Sequence, residues 1–239
     1  MSQIRIMAGV PTYTGQVCVP FVNSYICTWG LLANKGVQME MECASHFSLV
    51  QYARNYIAAK FLQDETFTHL LMIDSDLGWD PRAAMRMFSR GKDVICGIYP
   101  VKTNNPYFPY VGAEDVGEDG LQLAERAPTG FMLVTREVMR KLADSVRWYD
   151  MQYNGQVISC PNIFDLVHEG AQYWGEDFAF CKRLKNHGYN IWVETDMDFS
   201  HVGTNAWTAN LAKTLSRKID PAQGVAPLQA PEVAVGGAR

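Results

Sequence analysis

One segment constrains the fold more than any other part of the chain: Leu70-Leu71-Met72-Ile73-Asp74-Ser75-Asp76. Its apolar residues are typical of a buried β-strand, and they are followed at once by two carboxylates one residue apart. In an open α/β sheet, ligands bind in the crevice beyond the carboxyl ends of the strands. The segment therefore predicts a central strand that delivers Asp74 and Asp76 into a ligand crevice.

Two interpretations of this acid pair remain open at this point. Carboxylates suit Mg²⁺ or Mn²⁺ carrying a substrate diphosphate, because these ions combine a few carboxylates with phosphate oxygens and water. Alternatively, Asp76 caps a helix, since the nearby Asp80-Pro81 is a typical helix start and Asp is a favoured capping residue. The spacing of the two acids does not by itself separate a metal site from a helix cap.

The first half of the chain alternates between strand patterns and helix patterns. Strands are predicted at 4–9, 37–43, 69–73 and 93–99, and helices at 16–34, 49–63 and 81–89. In the first helix, Val22, Ile26, Trp29 and Leu32 recur at helical spacing. This β-α-β-α-β-α-β order predicts a largely parallel sheet with right-handed crossovers.

The second half is less regular, with a turn predicted at 117–120 and a strand at 129–134. Tyr153-Asn154-Gly155-Gln156 predicts a β-hairpin. A helix opens at Gly175-Glu176-Asp177 and ends at Gly188, and the last strand is predicted at 190–194. After residue 219 the sequence consists mostly of Pro, Ala, Gly and Val. We therefore expect one domain at 1–218 and a flexible tail at 219–239.

Composition limits the classes of function. The chain has 239 residues, of which 48% are hydrophobic, so it can bury one substantial core. Its net charge of −4 gives no global electrostatic reason to bind nucleic acid. The six cysteines form no C-x-x-C pair and are predicted to be reduced core residues. No secretory signal and no apolar run near the ~20 residues of a membrane span is evident, which predicts a cytoplasmic protein without a membrane partner.

Further segments accompany the acid pair. They are Arg54-Asn55, then Pro128-Thr129-Gly130-Phe131-Met132-Leu133, then Gly175-Glu176-Asp177-Phe178-Ala179-Phe180-Cys181, and finally His201. In this order and spacing, the chain resembles nucleotide-sugar glycosyltransferases of the GT-A fold, particularly short family-two enzymes from bacteriophage genomes. The likeness covers most of residues 4 to 205 and implies a Rossmann-like, mainly parallel sheet flanked by helices. For a phage enzyme, the location would be the host cytoplasm.

The resemblance implies a divalent cation, Mn²⁺ or Mg²⁺, on the donor diphosphate. Asp76 and His201 would be its direct ligands, with Asp74 at the ribose or at a metal-bound water and Ser75 in the same donor site. Imidazole is an acceptable ligand for Mn²⁺. Without the resemblance, a single histidine after a strand is more often a structural residue.

The same likeness implies a catalytic base at Glu176-Asp177. Glycosyl transfer passes through an oxocarbenium-like transition state, and an inverting reaction needs a carboxylate to take the acceptor hydroxyl proton. Asp177 is the preferred base, with Glu176 beside it. The competing explanation is that acids favour the first turn of any helix.

Other residues are expected around the donor. Pro11, Thr12 and Tyr13 would border the base, Arg54 and Asn55 would contact the nucleotide or diphosphate, and Thr129 and Gly130 would lie beside the sugar. A guanidinium suits phosphate oxygens, and glycine allows close approach. The alternatives are an ordinary loop, solvated helix positions and a tight turn.

The sequence thus predicts a metal-dependent glycosyltransferase that uses a nucleotide sugar, most simply a UDP-sugar. Aromatic residues in the loops could form an acceptor platform. They include Tyr99, Tyr107, Phe108, Tyr110, Trp174 and Trp207. The alternative is a non-catalytic nucleotide-sugar or glycan-binding module. A nucleotidyltransferase is disfavoured because the segment 10–15 has no lysine or arginine.

The acceptor is less constrained than the donor. Phage relatives of this kind include enzymes that glycosylate hydroxymethylated pyrimidines in DNA, whereas others modify glycans or proteins. DNA would need basic side chains for its phosphates. The candidates are Lys213, Arg217 and Lys218, with Lys102 and Arg126 from the middle loops. The sequence predicts no particular oligomeric state.

Overall fold

The structure is a computed structural model that describes residues 4–103, 107–113 and 115–217. The predicted flexible tail at 219–239 lies outside the described residues. Strands and helices alternate in the first half of the chain, and strands occur in runs in the second half. The result is a mixed α/β fold in which helices flank a large mixed sheet.

In chain order, the strands are β1 (Arg5–Thr12), β2 (Gln38–Ser45), β3 (His69–Ile73), β4 (Leu77–Trp79), β5 (Val94–Gly97), β6 (Val111–Gly112), β7 (Leu121–Arg126), β8 (Phe131–Thr135), β9 (Trp148–Tyr153), β10 (Gln156–Pro161), β11 (Val167–Glu169), β12 (Gln172–Trp174), β13 (Ile191–Glu194), β14 (Asp198–Val202) and β15 (Ala206–Asn210). The helices are α1 (Val19–Ala33), α2 (Val50–Gln63), α3 (Pro81–Phe88), α4 (Arg136–Asp144), α5 (Glu176–Asn186) and α6 (Leu211–Arg217).

The main sheet of the described chain has the strand order β2-β1-β3-β8-β5-β13-β7-β6. β1 is parallel to β2 and β3, and β13 is parallel to β5, but β8 runs antiparallel between β3 and β5. The expected largely parallel sheet is therefore mixed. Because β8 runs in the opposite direction, its first residues lie where β3 ends: Phe131 pairs with Ile73. This places the 128–130 segment beside Asp74.

The main sheet is buried on both faces, which explains the continuous apolar run of β3. Leu70 and Met72 pack with α2, α4 and α5, whereas Leu71 and Ile73 pack with α1 and α3. The predicted strand at 69–73 has the bounds expected from the sequence. Its central position fixes the direction in which the two acids leave the sheet.

A smaller sheet of three described strands, β15-β14-β4, brings a distant histidine to the acid pair. Within it, His201 pairs with Leu77, and the amide of Val202 donates to the carbonyl of Asp76 at 2.8 Å. The sequence predicted that His201 follows the last strand. The structure instead places His201 within β14. β4 has only three residues, and its short pattern was missed.

Helix α1 forms where predicted, but its inward face is not the apolar one. Its buried residues are Phe21, Ser24, Thr28 and Leu32. The Ser24 hydroxyl bonds to both the backbone N–H and the carbonyl of Trp79, and the Trp79 indole N–H donates to Thr28 at 2.9 Å. Consequently Val22, Ile26 and Trp29, which made the helical pattern, are exposed.

The predicted hairpin and the second-half helix are both confirmed. Asn154 and Gly155 have φ values of 49° and 75°, as a two-residue turn of this type requires, between β9 and β10. Gly175 caps α5, and Gly188, with φ 81°, follows its end. The turn at 117–120 is also present, closed by a bond from the Gly120 amide to the Gly117 carbonyl.

The cysteine prediction holds for half of the set. Cys96, Cys160 and Cys181 are buried, whereas Cys27 and Cys43 are exposed, and all six cysteines are free. In the described ranges, no helix is both long enough and apolar enough to cross a bilayer.

A buried ion pair fixes α3 against the main sheet. The Glu194 side chain on β13 is only 1% exposed and accepts hydrogen bonds from Arg86 at 3.2 Å and from Arg90 at 2.8 Å. Because the two arginines are partly exposed, the cost of removing the acid is less than for a fully buried pair. The buried Glu194 carboxylate therefore depends more on the two arginines than they depend on it.

We expect Glu194→Ala to lower the free energy of unfolding by about 2–3 kcal/mol, because it leaves two arginines without their buried partner. Urea unfolding followed by circular dichroism measures this loss. The control is Glu125→Ala on the neighbouring β7, whose exposed pair with Lys185 should contribute less than about 1 kcal/mol. Equal losses in the two variants would contradict the structural role of Glu194.

Candidate functional site

A buried arginine forms the centre of the site. The Arg54 side chain on α2 is 4% exposed and donates from Nη2 to Asp74 Oδ1 at 3.0 Å and from Nη1 to Asp177 Oδ1 at 2.8 Å. Glu176 Oε1 lies 3.8 Å from Nη2. Burial alone would lower the pKa of Arg54, but the three carboxylates outweigh it and raise that pKa. One fixed positive charge therefore holds three acids from two distant parts of the chain.

Glu176 and Asp177 occupy the first turn of α5, where Gly175 is the N-cap. The Thr129 hydroxyl donates to the same Asp177 oxygen that accepts from Arg54. Burial raises the pKa of Glu176, and repulsion from Asp177 adds to this effect while Arg54 opposes it. Arg54 and Thr129 thus hold the start of α5 in place at the site.

Both carboxylate oxygens of Asp74 are engaged. Oδ1 accepts from Arg54, and Oδ2 accepts from the Tyr99 hydroxyl at 2.9 Å. Burial raises the pKa of Asp74, although Arg54 acts in the opposite direction. Burial also raises the pKa of Tyr99 well above its usual value, so that Tyr99 remains a donor. Asp74 is consequently fixed by two protein groups in this arrangement.

Glycine is required at position 130 for a steric reason. An ideal Cβ placed there would lie 2.1 Å from Asp74 Oδ2 and 2.2 Å from the Tyr99 hydroxyl. The Gly130 carbonyl also accepts the Asp74 amide at 2.8 Å. The expectation that a side chain would obstruct this position fits the structure, and the groups obstructed are Asp74 and Tyr99.

Asp76 faces two basic side chains with its two oxygens. Oδ1 lies 3.4 Å from His201 Nε2, and Oδ2 contacts the Lys102 ammonium. Oδ1 is buried and accepts no well-aligned hydrogen bond within the described part of the chain. Burial would raise the pKa of Asp76, but His201 and Lys102 outweigh it and lower that pKa. Since Asp80 caps α3, Asp76 is free of the helix-cap role considered above.

The orientation of His201 is set by a backbone carbonyl. Nδ1 lies 2.8 Å from the oxygen of Pro100, and because a carbonyl only accepts, Nδ1 carries the proton. In a ring that carries only this proton, Nε2 presents a lone pair towards Asp76, whereas a doubly protonated ring donates from Nε2 to Asp76. A hydrogen bond from the other ring nitrogen to a backbone carbonyl is typical of metal-binding histidines.

The Tyr99–Lys102 segment, which follows β5, touches all three residues predicted for the metal site. Tyr99 donates to Asp74, Pro100 accepts from His201, and Lys102 pairs with Asp76. Sequence reasoning gave this segment no such role and considered Tyr99 and Lys102 only for the acceptor. The available signal was its position directly after a strand that was predicted to end at the same edge as β3.

A cleft of about 430 Å³ opens at these acids. Its lining residues are Pro11, Thr12, Tyr13, Ala44, Phe47, Ser48, Val50, Ala53, Arg54, Asp74, Ser75, Asp76, Glu176 and Asp177. The sequence predicted that Pro11, Thr12 and Tyr13 form a loop after the first strand. In the structure Pro11 and Thr12 belong to β1, whereas Tyr13 follows the strand and is exposed. Most of the expected donor residues thus share one concave surface.

Two expected nucleotide contacts are not available in this arrangement. Asn55 is fully buried, donates to Tyr149 and Asn162, and accepts the Phe164 amide. It therefore fixes the 162–164 loop. Arg54 directs its terminal nitrogens to carboxylates, so its predicted contact with the diphosphate is replaced by contacts with the acids themselves.

The basic residues considered for DNA are engaged where they are described. Lys213 pairs with Asp198 at 3.0 Å, Arg126 lies 4.7 Å from the centre of the Trp174 ring, and Lys102 pairs with Asp76. The Arg217 side chain and Lys218 lie outside what the structure describes. Each described side chain of this set therefore has a partner.

A second, larger groove of about 950 Å³ lies between α1, the small sheet and α6. Of the two acids that line it, Asp80 caps α3 and Asp198 is paired with Lys213, and it contains neither Asp74 nor Asp76. The smaller cleft carries the clustered ionisable groups and is the better candidate for chemistry.

Glu176→Gln tests the electrostatics of the site. A carboxyl group whose folded pKa is raised above its ordinary value of 4.5 binds protons more tightly in the folded state, so wild-type stability falls as pH rises through that window. Glu176→Gln has no carboxyl group at this position and therefore does not lose stability in this way. Its stability relative to wild type should increase by on the order of 1 kcal/mol between about pH 4 and about pH 7.

Urea unfolding of both proteins at several pH values measures this difference. Any constant effect of losing the Glu176–Arg54 contact appears at every pH and cancels from the comparison. A stability difference that is the same across the range would contradict the raised pKa.

Comparisons with known proteins support the fold alone. No protein-family model matches the chain, and no curated protein matches it. A solved structure from Bacillus anthracis, described as belonging to the glucose-1-phosphate thymidylyltransferases and holding a sucrose, covers 94% of this chain and 98% of its own at 8% identity. Its TM-score of 0.37 supports no conclusion. The crystal structure of A197 from STIV has a TM-score of 0.51 and 18% identity over 84% of this chain and 86% of A197, so the chain is similar to A197 in its fold.

Proposed function

We propose that the chain is a metal-dependent glycosyltransferase of the GT-A fold that moves a sugar from a nucleoside diphosphate, most simply UDP, to a hydroxyl acceptor. The observation that carries this proposal is the pair formed by Asp76 Oδ1, on a carboxylate that lines the cleft, and His201 Nε2, 3.4 Å away. When His201 is protonated only on Nδ1, two lone pairs face each other at this distance, and a cation between them would satisfy both.

The residues present fit a divalent cation that is completed by substrate. No group of three or more His, Cys, Asp or Glu side chains able to hold a metal ion occurs among the described residues. Asp76 and His201 would therefore supply two ligands, and diphosphate oxygens and water would supply the others. When bound, the cation would neutralise the charge that develops on the departing diphosphate.

Asp74 acts as a positioning residue in this proposal. Because Arg54 and Tyr99 engage both of its oxygens, direct metal ligation by Asp74 would require one of these bonds to break. Its fixed position suits a contact with the ribose or with a metal-bound water. Thr12, Tyr13 and Ser75, which line the same cleft, are the neighbouring donor contacts.

The acids of α5 supply the proposed base. In an inverting reaction the acceptor oxygen bonds to the anomeric carbon, the bond to the diphosphate breaks, and the acceptor proton passes to a carboxylate. Asp177 is the preferred acceptor of that proton, and both of its bonds to Arg54 and Thr129 end on Oδ1. Its other oxygen is the proposed basic atom, with Glu176 as the alternative.

The proposal does not extend to a DNA acceptor. The described members of the basic patch considered for DNA phosphates, Lys102, Lys213 and Arg126, are paired with acids or stacked on an aromatic ring. A glycan or protein hydroxyl needs no such patch, so it is the better expectation. The alternative function, a nucleotide-sugar binding module, would use the same cleft without the base.

We expect Asp76→Ala to abolish Mn²⁺-dependent binding of UDP, and His201→Ala to weaken it by at least about tenfold, since even groups that only hydrogen-bond to a metal ligand contribute that much. Titration calorimetry of UDP with and without Mn²⁺ measures both. Asp198→Ala, which removes another acid from the same strand as His201, is the control and should bind normally. Unchanged metal-dependent affinity in both test variants would reject the proposed cation site.

Asp177→Asn should lower sugar transfer by ~10²-fold or more while UDP binding is retained, because it removes the proton acceptor but keeps the shape of the side chain. The donor is first identified by screening nucleotide sugars for metal-dependent hydrolysis. Thermal unfolding verifies that the variant is folded. Normal turnover in Asp177→Asn together with its loss in Glu176→Gln would assign the base to Glu176, and normal turnover in both would reject the α5 acids as the base. Metal-dependent UDP binding without hydrolysis or transfer by wild type would support the binding module.

A further inference from the structure

Lys102 occupies a special place beside the proposed cation site. Its ammonium contacts Asp76 Oδ2, on the carboxylate whose other oxygen faces His201. Pro100, two residues earlier, holds the histidine ring at 2.8 Å. The same short segment therefore positions one proposed ligand and neutralises the other.

Packing directs the lysine towards this acid. An ideal Cβ at Gly203 would lie 3.2 Å from Lys102 Cδ and 3.1 Å from the Trp207 ring, so the glycine leaves room for the lysine stem. The Lys102 side chain is 33% exposed and Asp76 is 36% exposed. Lys102 is thus held by contacts along its stem, yet its charged end can turn towards solvent.

A divalent cation and this ammonium cannot share Asp76 without cost. Like charges within a few ångströms repel strongly in a partly buried site, where screening by water is weak. A cation bound at Asp76 and His201 would therefore favour release of Lys102 from the carboxylate. A lysine has a flexible four-carbon stem and pairs readily with phosphate oxygens, so the freed ammonium has an obvious second partner.

We propose that Lys102 is a resident counter-ion of Asp76 that competes with the divalent cation and, once displaced, pairs with the diphosphate of the donor. This inference rests on the proposed function, because it assumes that the cation binds at Asp76. It assigns to Lys102 a positioning role that couples metal binding to donor binding. With Lys102 on Asp76, the metal binds less tightly; with Lys102 on the diphosphate, the donor binds more tightly.

Lys102→Met separates the two effects, since it keeps the length of the stem but removes the charge. Mn²⁺ alone, titrated without nucleotide and followed by electron paramagnetic resonance, should bind the variant about five- to tenfold more tightly than wild type, the scale of one partly exposed ion pair. UDP at saturating Mn²⁺, followed by calorimetry, should bind the variant more weakly by a similar factor.

Two further variants act as controls. Lys102→Arg keeps the positive charge and should stay close to wild type in the Mn²⁺ titration. Lys213→Met removes the ammonium of the comparable Lys213–Asp198 pair and should change neither affinity. Thermal unfolding shows that each protein is folded.

The outcomes distinguish this inference from the proposed function. If Asp76→Ala abolishes Mn²⁺ binding but Lys102→Met leaves Mn²⁺ affinity unchanged or weakened, the role of Lys102 is wrong and the cation site stands. If Lys102→Met tightens Mn²⁺ binding but leaves UDP affinity unchanged, the lysine competes with the metal and its pairing with diphosphate is wrong. If neither wild type nor Lys102→Met binds Mn²⁺ even with UDP present, both the cation site and this inference are wrong.

Discussion

The site depends on the burial of one guanidinium among three carboxylates. Asp74 leaves the centre of the main sheet, whereas Glu176 and Asp177 begin a helix about a hundred residues later, 123 positions from Arg54 in the case of Asp177. Like charges would drive these elements apart if no fixed cation lay between them. An arginine suits this position because it stays protonated and offers two directed nitrogens. The two halves of the chain therefore meet at the Arg54 side chain, and the cleft lies beside this contact.

Strand direction determines which parts of the chain reach this point. β3 delivers its acids at its carboxyl end, and the antiparallel β8 delivers Thr129 and Gly130 from the segment before it begins. A parallel strand in the place of β8 would have brought its carboxyl end there instead. The reversed strand thus supplies the hydroxyl that holds Asp177 and the glycine that admits Tyr99 to Asp74.

Much of the local structure could be predicted from the sequence, whereas the pairing of side chains could not. The β3 strand, the Asn154-Gly155 turn and the start of α5 each follow from a few neighbouring residues whose preferences agree. The partners of Arg54 and the role of Lys102 depend on residues far apart in the chain, for which a single sequence provides no pattern. The inward face of α1 shows the same limit, because hydrogen bonds to Trp79 outweighed a clear apolar periodicity.

That helix has a further consequence for the protein as a whole. α1 contains no charged residue, and Val19, Ile26 and Trp29 point into solvent. These side chains contribute little to the hydrophobic gain on folding, since the helix is anchored through its opposite side. An uncharged apolar ridge instead affects how molecules behave towards one another in concentrated solution. The buried side of this fifteen-residue helix therefore contributes to the stability of the fold, whereas its exposed side affects association between molecules.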